Sequence, residues 1–191
     1  MKQKSRTEYS VMNTTVAFAA QATAILMGFF TRVVFTRMLS EGYVGINGLF
    51  TDILNILSLS ELGVGTAITY ALYGPIARND IKKQQILMRM FRTFYRITAG
   101  VVLIAGLCLI PFLDILMKDR PDVDHLIIIY LLYLLNSFVS YLLIYKKILV
   151  DAHQMNYITV MYHNGFLVLQ DICQIIVLLL TRNFILFLIV A

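Results

Sequence analysis

Apolar residues in this chain are gathered into long runs that short polar connectors separate. Five runs reach the roughly 20 residues that a helix needs to cross the hydrocarbon of a bilayer: residues 11–31, 46–73, 97–117, 126–145 and 158–180. A sixth run begins at Phe184 and extends only to Ala191. The pattern predicts an all-α, polytopic bundle of about five to six transmembrane helices. Residues 1–191 would form a single domain that is cut off inside its sixth span.

The second run differs from the others because only half of its helical surface is apolar. Projected as a helix at about 100° per residue, it gathers its polar residues and small neighbours into one arc: Asn47, Thr51, Asp52, Asn55, Ser58, Glu61, Gly65, Thr66, Thr69 and Tyr73. Hydrocarbon offers such an arc no hydrogen-bond partner, so the arc must face protein or a water-filled cavity. We therefore predict that this helix forms one wall of a transport path.

Narrower polar stripes follow the first and fifth runs. Gln21 belongs to a seven-residue repeat on the first run, with Arg32 on the same side, and Asp171 lies at the edge of a similar repeat on the fifth run. Such stripes either line a cavity or bond to neighbouring helices, and the pattern leaves both interpretations open. The third run is almost purely apolar and is expected to face lipid. The fourth run carries several tyrosines and a few small polar residues, which suggest no role.

Two charged residues, Asp52 and Glu61, fall inside the second span, and Arg32 directly follows the first apolar run. Arg32 and Asp52 lie at similar depths on antiparallel helices, so a contact between them is geometrically available. Arg32 is then a cavity charge that attracts an anionic substrate, or else a structural ion-pair partner or a snorkelling side chain. Glu61 lies deeper, and it either couples protonation to a conformational change or bonds to a neighbouring helix. The predicted substrate-cavity residues are Arg32, Asp52, Asn55, Glu61, Gln21 and Asp171.

Arg89, Arg92 and Arg96 lie at spacings of three and four, which places them on one face of a helix that precedes the third span. This face either rests against anionic lipid headgroups or forms an electropositive collar that meets a phosphate-bearing substrate.

Composition agrees with a membrane location. The chain is 59% hydrophobic with a mean hydropathy of +0.77, whereas soluble domains are about 45–50% apolar. We predict a multi-pass protein of the cytoplasmic membrane whose N-terminus lies on the inner side. Most basic residues then fall on the inner side, as the positive-inside rule requires. These are Lys2, Lys4, Arg6, Arg78, Lys82, Lys83, Arg89, Arg92, Arg96, Lys146 and Lys147. The net charge of +5 is explained in this way without nucleic-acid binding.

Catalytic chemistry is not indicated by the motifs. His125, His153 and His163 are scattered, no pair has metal-ligand spacing, and no nucleophile stands beside a general base. We predict a non-enzymatic protein without a cofactor, for which a proton or sodium gradient is the candidate source of energy.

One segment carries a resemblance. Residues 43–80 read YVGINGLFTDILNILSLSELGVGTAITYALYGPIARND, in which GINGLF, a Ser-Leu-acid-Leu-Gly run and a Gly-Pro pair follow one another. This stretch, with TRVVFTRMLS before it and YLLIYKKILVDAHQMNYI near the end of the fourth span, resembles the polysaccharide repeat-unit flippases. These proteins belong to the multidrug/oligosaccharidyl-lipid/polysaccharide exporter superfamily.

The resemblance implies the N-terminal lobe of a MATE-like exporter. Such a protein moves an undecaprenyl-pyrophosphate-linked oligosaccharide between leaflets by alternating access, as part of O-antigen or capsule synthesis, with a polysaccharide polymerase as a further partner. Arg32 matches the first-helix arginine of the family and Glu61 its second-helix acid. Two alternatives stay open: a multidrug or cation antiporter of the same superfamily, and a membrane-embedded glycosyl- or acyltransferase.

Overall fold

The computed structural model describes residues 6–58, 64–117, 123, 125–153 and 155–191. The regular elements in these ranges are all helical, which confirms the predicted all-α helical bundle. They are α1 (Arg6–Met38), α2 (Glu41–Ser58), α3 (Val64–Ala77), α4 (Ile81–Leu109), a 3-10 turn (Ile110–Phe112), α5 (Leu113–Leu116), α6 (Leu126–Ala152), α7 (Asn156–Thr181) and α8 (Phe184–Ile189).

Four segments in the described part of the chain are long and apolar enough to cross a membrane: Thr14–Met38, Ile81–Phe112, Leu126–Ala152 and Ile158–Thr181. They correspond to the first, third, fourth and fifth predicted spans. Within the second predicted span the described residues form α2, with 18 residues, and α3, with 14. Residues 59–63 lie between them, outside the described residues. The sixth run forms α8, which has only 6 residues.

The packed centre of the bundle is the contact of α4 with α6 and α3. One face of α4 is buried at spacings of four and three, through Phe91, Tyr95, Ala99, Val102 and Gly106. The third predicted span therefore presents only its opposite face to lipid, where Ile104 is 64% exposed. The expectation that this span faces lipid therefore applies to its exposed face, because small residues such as Ala99 and Gly106 let the other face pack against neighbouring helices.

The approach of α4 to α6 is close at Gly106. A Cβ atom at this position would lie 2.4 Å from Leu134 Cδ1, so the two backbones can only approach in this way across a glycine. The hydroxyl of Tyr130 donates a buried hydrogen bond of 2.8 Å to the Gly106 carbonyl oxygen. Within hydrocarbon this bond replaces water as the partner of the tyrosine hydroxyl.

The second helix pair is α1 with α7, which run parallel along much of their length. The Thr31 hydroxyl on α1 donates a hydrogen bond of 3.1 Å to Asp171 Oδ1 on α7. Helix α8 covers the end of this pair through ring contacts of Phe184 and Phe187 with Phe35, whose centroids lie 5.6 Å and 5.2 Å from it.

Candidate functional site: a groove between α2 and α6

An open groove of about 420 Å³ lies between α2 and α6. All of its lining residues except Leu54 and Ile144 carry a hydroxyl or an amide. They are Thr51 and Asn55 from α2, and Tyr133, Asn136, Ser137, Ser140 and Tyr141 from α6. Along the groove the residue numbers of α2 and of α6 increase in the same direction, so the two helices run parallel. We call this set the α2–α6 groove.

One end of the groove is closed by a contact that holds α2 against α6. The Tyr133 hydroxyl donates a hydrogen bond to Asn47 Oδ1. Phe50, which is fully buried, packs its ring against Tyr130 and Tyr133, with centroids 5.1 Å and 5.8 Å away. The Asn47 side chain thus positions the tyrosine, while the phenylalanine excludes lipid from behind it.

Two hydroxyls of the groove are already bonded within their own helices. Thr51 Oγ1 donates to the Asn47 carbonyl oxygen at 2.7 Å, and Ser140 Oγ donates to the Asn136 carbonyl oxygen at 2.9 Å. Such back-bonding satisfies the hydroxyl proton and leaves the oxygen lone pairs for a ligand or for water. These hydroxyls thus add hydrogen-bonding groups, at a low free-energy cost, to a groove whose surface is otherwise mainly apolar.

Arg32 does not line the groove. Its side chain is exposed, and its guanidinium carbon lies 5.6 Å from the centre of the Phe35 ring on the same helix. In the described part of the chain no ion pair links Arg32 to Asp52, so the contact that their similar depths allow does not form there. Asp52 is exposed.

The remaining predicted cavity residues are distributed unevenly. Asn55 lines the α2–α6 groove. Gln21 is exposed on α1, away from the groove lining. Asp171 on α7 accepts the hydrogen bond from Thr31 on α1. This contact agrees with the alternative in which the polar stripe of the fifth span bonds to a neighbouring helix. Glu61 lies outside the described residues.

The three predicted collar residues, Arg89, Arg92 and Arg96, are all exposed on α4. Arg89 borders a shallow, mainly apolar depression of about 520 Å³ that Ile86, Met90, Phe94 and Ile97 also line. A guanidinium beside exposed apolar side chains suits the headgroup level of a membrane, where both kinds of group find partners. This arrangement is compatible with either alternative for the collar.

Sequence reasoning missed the contribution of α6 to the site. Tyr133, Ser137, Ser140 and Ile144 are spaced at four, three and four residues, which is a helical face, and Asn136 and Tyr141 widen it. This spacing was the available signal. Its polar members are few and lie among large apolar residues, so a composition-based view of the fourth span hides them.

No cluster of three or more His, Cys, Asp or Glu side chains that could hold a metal ion is found among the described residues. The hydroxyls and amides of the groove can donate and accept hydrogen bonds. Comparison with known proteins adds no identity: no family model, no curated protein and no solved structure matches this chain.

Proposed function

We propose that the protein carries lipid-linked oligosaccharide repeat units across the cytoplasmic membrane, as a flippase that works by alternating access. The single observation that carries the proposal is the α2–α6 groove. Its lining combines hydroxyls and amides with two tyrosine rings. Sugars present hydroxyl groups that both donate and accept hydrogen bonds, together with apolar ring faces, and this lining complements both features.

The physics of the transport step supports the same assignment. In hydrocarbon a sugar head loses its hydrogen bonds to water, and every polar group left unpaired raises its free energy. A groove that supplies replacement partners within a membrane-spanning bundle lowers this cost, while the polyprenyl tail stays in lipid. Arg32, an exposed cation on α1, is the candidate partner of the substrate pyrophosphate, since guanidinium groups bind phosphate oxygens in a bidentate manner.

The lining also bears on the alternatives. None of the described residues that line the groove carries a carboxylate, whereas a binding site for cationic drugs would need one. A glycosyl- or acyltransferase would need a general base or a metal beside its nucleophile, and the described lining holds only hydroxyls, amides and apolar groups. Both alternatives have less support than the flippase.

Replacement of Arg32 by alanine tests the proposal in a strain that lacks its own repeat-unit flippase. We expect Arg32→Ala to abolish the restored surface polysaccharide while the amount of protein in the membrane stays near that of the wild type. Arg37→Ala is the matched control, because it removes the same charge from an exposed position five residues further along α1. If membrane levels of Arg32→Ala collapse, Arg32 is structural; if polysaccharide is unaffected, the cavity role is refuted.

A further inference from the structure

A second cavity lies at the junction of three helix ends. This cleft of about 320 Å³ is lined by Tyr43 near the start of α2, by His125 just before α6, and by the α7–α8 turn with its flanking residues, Thr181, Arg182, Asn183, Phe184 and Ile185. It shares no lining residue with the α2–α6 groove. We call it the junction cleft.

Arg182 occupies a backbone position in the junction cleft that favours a different residue. It ends α7 in the left-handed region, with φ of 50°, and its backbone N–H donates to the Leu178 carbonyl oxygen at 3.0 Å. Glycine adopts this conformation without the Cβ penalty and is the usual residue there. His125 also has a positive φ, of 60°. The backbone of Arg182 thus ends α7, while the residue also lines the junction cleft.

Arg182, Asn183, Tyr43 and His125 line the cleft with groups that can donate hydrogen bonds, whereas the Thr181 hydroxyl already donates to the Val177 carbonyl oxygen at 2.7 Å. Asn183 Oδ1 accepts from the backbone N–H groups of Ile185 and Leu186 at 2.9 Å and 3.3 Å. This bonding fixes the amide orientation and turns the NH₂ group away from α8. Arg182 has five N–H donors and no acceptor. None of the described lining residues carries a carboxylate.

We propose that the junction cleft binds a phosphoryl group. Arg182 would hold two phosphate oxygens, while the Asn183 amide, the Tyr43 hydroxyl and the His125 ring supply further donors. On the predicted topology the cleft lies at the outer face of the membrane. Two ligands share this chemistry: the diphosphate of a lipid-linked substrate and the headgroup of an anionic phospholipid. The binding itself does not depend on the transport proposal.

Inorganic pyrophosphate, titrated calorimetrically into the purified full-length protein in a neutral detergent, is the first probe. We expect saturable binding that Arg182→Gly weakens by about tenfold or more, the loss typical of hydrogen bonds to a charged group. Because glycine suits the left-handed position, the thermal unfolding midpoint of Arg182→Gly should equal or exceed that of the wild type. Weak binding can then not be attributed to unfolding.

Asn183→Asp is the second variant. Aspartate also caps a helix N-terminus, so α8 keeps its hydrogen bonds, but a carboxylate replaces the NH₂ donor and repels the anion. We expect a folded protein with no measurable pyrophosphate binding. Arg37→Gln removes one positive charge that does not line the cleft, and it should bind as the wild type does.

The proposal is overturned if the wild type fails to bind, if Asn183→Asp binds normally, or if Arg37→Gln weakens binding as much as Arg182→Gly. Lipid nanodiscs separate the two ligands. Competition for pyrophosphate by phosphatidylglycerol, compared with phosphatidylcholine, would identify a lipid headgroup as the ligand. Unchanged pyrophosphate binding in both lipids would instead indicate the substrate diphosphate.

Discussion

Gly106 provides the sharpest test of how α4 and α6 pack. The change Gly106→Ala adds one methyl group, which would lie 2.4 Å from Leu134 Cδ1 and 3.0 Å from its Cδ2. Leu134 is 1% exposed, so the side chain has little space into which it can retreat. The two helices must therefore separate or Leu134 must leave its preferred rotamer.

A second glycine on the same helix allows the magnitude to be isolated. A Cβ at Gly100 would meet nothing within 4 Å, so Gly100→Ala reports only the gain in helix propensity, about 1 kcal/mol. Gly106→Ala has the same gain, and in addition overpacking costs about 1–3 kcal/mol. The free energy of unfolding of Gly106→Ala should thus lie about 1–3 kcal/mol below that of Gly100→Ala.

Equilibrium unfolding by sodium dodecyl sulfate in mixed micelles, followed by far-ultraviolet circular dichroism, measures this difference. Leu134→Ala provides a further check, because it removes the atoms that collide with the new methyl group. In the Leu134→Ala background, Gly106→Ala should lower the unfolding free energy much less than it does in the wild type. The difference is a coupling energy within the range known for contacting residues. Equal unfolding free energies for Gly106→Ala and Gly100→Ala would refute the close approach of the two helices.

Two further changes test the polar contacts between helices. Thr31→Val removes the hydrogen bond to Asp171 and should lower the unfolding free energy by about 0.6 kcal/mol, measured by the same assay. Thr36→Val is the control, because it removes hydrogen bonds made only within α1. It should change the unfolding free energy less. Tyr133→Phe removes the donor to Asn47 but keeps the ring, so we expect a similar small loss of stability together with reduced surface polysaccharide; full transport would show that this contact does not shape the groove.

The positions of most helices could be predicted from the sequence because apolar runs of membrane length leave few alternatives. The predicted fourth span and α6 both begin at residue 126, and the predicted fifth span starts two residues after α7 begins, at Asn156. Periodicity also identified the polar face of α2, and Asn55 does line a groove. These features depend on local composition, which a single helix displays by itself.

What could not be predicted was which helix faces which. The periodicity of a helix shows that it has a polar side but does not identify the partner, so the opposing residues on α6 were missed. The fit of Gly106 to Leu134 joins residues 28 positions apart and has no local signature.

The central claim is that the α2–α6 groove is open to water. In a Cys108→Ala, Cys173→Ala background, Asn55→Cys and Ser140→Cys place thiols in the groove, while Ile104→Cys places one on the lipid-facing side of α4, where the native residue is 64% exposed. Labelling of membranes with a charged, water-soluble maleimide should modify both groove cysteines and leave the Ile104→Cys variant unmodified. Groove cysteines as unreactive as the lipid-facing one, in protein that denaturation makes fully reactive, would contradict the account.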